Sequence, residues 1–142
     1  MSTDTLILKR VFNAPRELVY KAFTDAEQIS QWFGPEGWSV PRESITVAPH
    51  VGGDYKMTMV SDEDPSMSSP INSTFTEIVE NELIVGQEIF QGQEMTMKLE
   101  FADVDGGTQI TITQGPFTPE MVEMTRAGWE SSFTKLDALL KG

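Results

Sequence analysis

The sequence contains no cysteine and a single histidine, His50. The first absence excludes disulfides, thiolate metal sites and cysteine nucleophiles. The second excludes a metal site built on several imidazoles and leaves one conventional imidazole base, so no metal and no cofactor is expected. Positive charge is scarce: ten Lys and Arg stand against 22 Asp and Glu, a net charge of −12 with His neutral. Nucleic acid and anionic bilayers are bound through clustered cations, so neither is an expected partner. No apolar run approaches the roughly 20 residues of a membrane helix. The start, Met1-Ser2-Thr3-Asp4-Thr5, has no basic stretch followed by an apolar core, so no signal peptide is read and a soluble cytoplasmic protein is the expectation.

What is present suits one domain spanning 1–142. A chain of this length buries about 70% of its unfolded surface, enough for a core without staples. No internal repeat or low-complexity block divides it. The polar stretch 61–70, with Asp62, Glu63 and Asp64, reads as a long solvated connection inside the domain, and calcium would need a denser pattern of ligands. Gly52-Gly53 and Gly106-Gly107 are turn glycines without the Lys and Ser/Thr of a phosphate-binding loop.

Residues 5–13 alternate, with Leu6, Leu8, Arg10 and Phe12 on one face. Asn13-Ala14-Pro15 stops the strand, and Leu18, Val19, Ala22 and Phe23 follow at helical spacing. Asp25-Ala26-Glu27-Gln28 starts a second short helix, which carries Ile29, Trp32 and Phe33 and ends at Gly34-Pro35. Alternation then returns in six strands: 44–47, 55–60, 71–79, 83–90, 95–101 and 108–114. Glu80-Asn81-Glu82 and Asp105-Gly106-Gly107 are the hairpin turns. Thr118-Pro119-Glu120 opens a helix that runs to about Leu140 and spans roughly 33 Å. Trp129, Phe133, Leu136 and Leu140 make one apolar stripe along it. A strongly curved antiparallel sheet gripping that helix buries both the alternating strand faces and the stripe, an α+β architecture.

Several motifs occur in a familiar order. Arg10-Val11-Phe12-Asn13-Ala14-Pro15, Val19-Tyr20-Lys21-Ala22-Phe23-Thr24-Asp25, Trp32-Phe33-Gly34-Pro35, Gly52-Gly53-Asp54-Tyr55, Phe75-Thr76-Glu77-Ile78 and Gly128-Trp129 follow one another along nearly the whole chain. Together they resemble the Hsp90-ATPase-activator-homologue family of the START/Bet v 1-like, helix-grip superfamily. The resemblance implies a seven-stranded sheet, two short helices in a V after the first strand, and a cavity between sheet and C-terminal helix. The family often has a cation just before the Gly-Gly turn, where this chain has His50-Val51. The activator's co-chaperone action also involves a separate N-terminal domain, for which 142 residues leave no room.

Three methionine pairs carry the functional reading: Met57 and Met59, Met95 and Met97, Met121 and Met124. In a helix-grip fold all can face one interior. Thioethers are unbranched and polarizable, so they suit a pocket for variable apolar ligands as well as they fill gaps in a core. Tyr55 shares its face with Met57 and Met59, and its hydroxyl is either a handle for a ligand or the polar end of a core aromatic. Phe33 is the candidate at the cavity mouth, with Trp32 stapling the short helices to the sheet. Trp129 reads as core with a secondary role in the pocket, and the preceding Gly128 as the means of close helix–sheet approach. Glu77 shares strand parity with Phe75. If Phe75 points inward, so does Glu77, as a carboxylate of raised pKa; otherwise it is an outward strand residue. An inward Arg10 needs a partner, and Glu77 is one candidate. His50 reads as a surface turn residue.

The ligand-binding candidates are therefore Phe33, Tyr55, Met57, Met59, Glu77, Met95, Met97, Met121, Met124 and Trp129. The leading function is binding of a small hydrophobic molecule. An acidic interaction domain for a protein partner, chaperone-associated or a second copy of the chain, ranks next. An enzyme of cyclase or dehydratase type ranks third, since Glu77, Tyr55, His50 and Arg10 form no recognisable catalytic set.

Overall fold

The computed structural model describes residues 4–90 and 93–141; residues 1–3, part of the segment read above for a signal peptide, lie outside them. In chain order the elements are β1 (Asp4–Phe12), α1 (Arg16–Thr24), α2 (Ala26–Trp32), β2 (Trp38–Ser39), β3 (Thr46–Val47), β4 (Asp54–Ser61), β5 (Ser68–Val79), β6 (Leu83–Phe90), β7 (Gln93–Val104), β8 (Gly107–Phe117) and α3 (Pro119–Lys141). The fold is the α+β helix grip, a curled antiparallel sheet against a long C-terminal helix. Strands run β1-β8-β7-β6-β5-β4-β2, with β3 also paired to β4. Seven strands are those read from the sequence, and the two-residue β2 is an addition. Residues 68–70, expected in a loop, instead extend β5, because β4 continues far enough to pair Val60 with Ser68 and Met59 with Ser69. A ladder partner overrides the weak strand preference of Ser and Pro.

The short helices are held by local chemistry. The Asp25 carboxylate accepts the Glu27 N–H at 3.1 Å and caps α2. The Trp32 indole N–H donates to the Ala22 carbonyl at 2.8 Å, so this fully buried ring pins α2 onto α1. The Thr118 hydroxyl accepts the Met121 N–H at 3.2 Å and opens α3. Two glycines are required by backbone approach. A Cβ on Gly53 would lie 2.0 Å from the Ala48 carbonyl oxygen, and one on Gly107 would lie 2.0 Å from that of Phe12.

The inner sheet face and the underside of α3 enclose the core. Phe12, Leu99, Ile110, Ile112, Phe133 and Leu136 are fully buried. Phe12 meets Phe133 edge-on at 5.1 Å. Arg10 does point inward on β1. Its ion-pair partner is Asp137 on α3, not Glu77, and its guanidinium lies 5.2 Å from the Phe12 ring and 5.7 Å from that of Phe133. No helix of the described residues is long and apolar enough to cross a membrane.

Candidate functional site

The helix α3 approaches the sheet at β1 and β8. Toward β4, β5 and β6 the space between helix and sheet is a partly open cavity of about 380 Å³. Small side chains on both walls create it. On α3 the residues Thr125, Gly128 and Ser132 face the space, while the larger Phe133 and Leu136 are buried in the core beyond it. On the sheet, Ser73 pairs with Glu88 across β5 and β6, and the side-chain-free Gly86 lies between Phe75 on one side and Met97 on the other. Tyr55, Met57, Met59, Ile71, Met97 and Gln114 complete that wall. Phe33, Gly34 and Pro35 border it after α2.

Most candidates read from the sequence line this one space: Phe33, Tyr55, Met57, Met59, Met97, Met121, Met124 and Trp129. Met57 is buried, Met59, Met97 and Met121 are half-buried, and Met124 is 68% exposed. The methionines thus run from the interior outward to the solvent edge.

Two candidates do not meet the others. Met95 is buried in the core and lies outside the cavity lining, beside Glu88 in the β6–β7 ladder. Glu77 is exposed. Phe75 does point inward, but a bulge separates the pairs Phe75–Gly86 and Glu77–Val85, so the alternation resets at Thr76. Ile78 then packs on the core in the position that parity gave to Glu77.

Tyr55 contributes its ring and not its hydroxyl. The O–H donates to the Phe23 carbonyl at 2.6 Å, and the ring stacks on Phe75 at 4.8 Å. Complete burial pushes its pKa well above the ordinary phenol value. It therefore ties the sheet to α1 and offers the cavity an aromatic surface. Trp129 donates its indole N–H to the Gln114 side-chain oxygen at 3.0 Å, and Phe33 meets the Trp129 ring edge-on at 5.8 Å. Gly128 has no role in close packing, because a Cβ built there meets nothing within 4 Å. Its missing side chain is cavity space.

Sequence reasoning missed Glu88. Its signal was available: Ile84, Gly86 and Glu88 share strand parity, and Ile84 is a natural core residue. Glu88 lines the cavity, and burial raises its pKa above the ordinary carboxylate value, partly opposed by the Asn72 backbone N–H. His50 lies on an exposed turn away from the cavity, its Nδ1 3.1 Å from the Val51 carbonyl. Among the described residues no group of three or more His, Asp or Glu is placed to hold a metal ion.

The family model of the Activator of Hsp90 ATPase homolog 1-like proteins matches residues 13–141. The chain belongs to that family. Solved structures agree with the fold. Protein CV1439 of Chromobacterium violaceum is 27% identical, with a TM-score of 0.86 over 97% of each chain. Protein NE0264 of Nitrosomonas europaea is 25% identical, with a TM-score of 0.82 over 96% of this chain and 94% of its own. An AHSA1 protein of Silicibacter pomeroyi is 22% identical and superposes with a TM-score of 0.82 over 97% of this chain and 98% of its own, a likeness of fold. No curated protein matches the sequence.

Proposed function

We propose that this protein binds a small, largely hydrophobic molecule in the cavity between α3 and the β4–β6 side of the sheet. The observation that carries the reading is the cavity itself, about 380 Å³, partly open and lined by methionines and aromatic rings. Ligand pockets span about 300–1,000 Å³ and are mostly apolar with a few polar groups, and this one is at the small end of that range. Four half-exposed or buried methionines give the walls rotamer freedom, so the space adapts to a guest that branched aliphatics would exclude. The mid-helix Gly128 supports the reading further. It weakens α3 and relieves no contact, which suits a position kept empty for a guest.

A thermal-shift screen of fatty acids, sterols, flavonoids, polyketide-like aromatics and hydrophobic amines tests this. A guest at 100 times its Kd adds about 2.7 kcal/mol, which raises Tm by roughly 5–10 °C for a domain of this size. Gly128→Leu puts a helix-compatible side chain into the empty space and should abolish the shift without unfolding the protein. An absence of hits, or hits that Gly128→Leu leaves intact, would overturn the proposal.

A further inference from the structure

The cavity is uneven in charge. Among the described residues that line it, Glu88 is the one carboxylate, and none is Lys, Arg or His. The other polar groups on its walls are neutral, and three of them are already paired inside the protein. The Gln114 oxygen accepts from the Trp129 indole, the Ser132 hydroxyl donates to the Gly128 carbonyl at 3.0 Å, and the Tyr55 hydroxyl donates to Phe23. A guest entering this space therefore meets one strong acceptor, held on β6 directly across the ladder from the small Ser73.

We infer that the guest is a cationic amphiphile, an aromatic or aliphatic body carrying a protonated amine, with Glu88 as its counter-charge. This rests on the ligand-binding reading above and names the chemistry of the ligand. Three physical arguments carry it. Glu88 is half-buried beside an apolar space and accepts one backbone N–H, from Asn72. Of the guest groups that can replace its lost hydration a cation also offsets the charge, whereas a neutral hydroxyl supplies one hydrogen bond and leaves the charge in place. A guest carboxylate or phosphate would place two anions in one low-dielectric space, which disfavours its ionised form. The rings of Phe33, Tyr55 and Trp129 line the same space, aromatic rings attract an ammonium group, and the net charge of −12 raises the local concentration of cations around the protein. The rise in the Glu88 pKa through burial reports the same desolvation that a bound cation would relieve.

Isothermal titration with matched head groups decides the matter. The probes are an amine, an alcohol and a carboxylic acid on each of two bodies, naphthylmethyl and n-decyl. The amine should bind at least about tenfold tighter than the alcohol, with the acid weakest, as expected for a desolvated charge pair. Glu88→Gln should remove the amine's advantage and leave alcohol binding within about twofold, and Glu88→Met serves if the amide perturbs folding. Glu82→Gln, which removes an equal charge from the exposed β5–β6 turn, should leave the order unchanged. Acid binding as tight as amine binding, or an amine preference that survives Glu88→Gln and Glu88→Met, would overturn this inference while the cavity remains a binding site. Failure of all six probes on the wild type would overturn both.

Discussion

The two sides of α3 solve opposite problems with the same element. Toward β1 and β8 the helix offers Phe133 and Leu136 to Phe12, Ile110 and Ile112, all fully buried, and an ion pair joins Arg10 to Asp137. Toward β4–β6 it offers Thr125, Gly128 and Ser132 to a wall of methionines and Glu88 across open space. The first side carries the stability of the domain and the second spends it. Close-packed interiors lose stability steeply when atoms are removed, while a wall that already faces a void loses less.

That contrast sets an order of effects. Leu136→Ala on the closed side should destabilise by roughly 2–5 kcal/mol, read in urea melts, because the cavity left has no neighbour able to collapse into it. A loss under half a kcal/mol would show that the closed side is not packed as described. Met97→Ala on the open side should cost about 1 kcal/mol, since its side chain is half-buried and already borders empty space. Equal losses at Leu136 and Met97 would erase the difference between the two sides.

Gly128→Ala should have the reverse sign, stabilising by up to about 1 kcal/mol through helix propensity, because its Cβ meets nothing within 4 Å. Destabilisation in the same melts would mean that the helix packs there after all. Glu88 gives a smaller, pH-dependent effect. Its folded pKa lies above the ordinary 4.5, so the native state holds the proton more tightly and stability falls as pH rises from that value through the raised one. Glu88→Gln should thus raise Tm at pH 7 and lose that advantage toward pH 4. A gain that is the same at both pH values would remove burial as the cause. His50→Asn, on an exposed turn, should change stability by less than about 0.5 kcal/mol and leave ligand affinity unaltered.

Local patterning carried most of the fold. Period-two runs mark the seven main strands, and the spacing of Trp129, Phe133 and Leu136 marks α3. Each depends on chain neighbours, so each is legible without a structure. Family motifs added the architecture and with it the convergence of Phe33, Tyr55, Met57, Met59, Met97, Met121, Met124 and Trp129 on one space. Glu77 was misread because a bulge shifts parity by one residue, and nothing in Phe75-Thr76-Glu77-Ile78 announces it. Tyr55 was left open because its hydroxyl is claimed by Phe23, 32 residues away in sequence. Arg10 and Asp137 pair across 127 residues, a separation that no local pattern encodes.

The amino-acid sequence by itself determined the element order, the apolar faces and the supply of methionines, because alternation, helical spacing and composition are properties of neighbouring residues. The tertiary structure alone decided where α3 touches the sheet and where it stands off. It also decided that the small residues Ser73, Gly128 and Ser132 line the gap from both walls, and that Glu88 is the charge on its lining. Those are distances between segments far apart in the chain. They depend on large side chains packing at the β1–β8 side and small ones facing the β4–β6 side, an arrangement that no local run of sequence specifies.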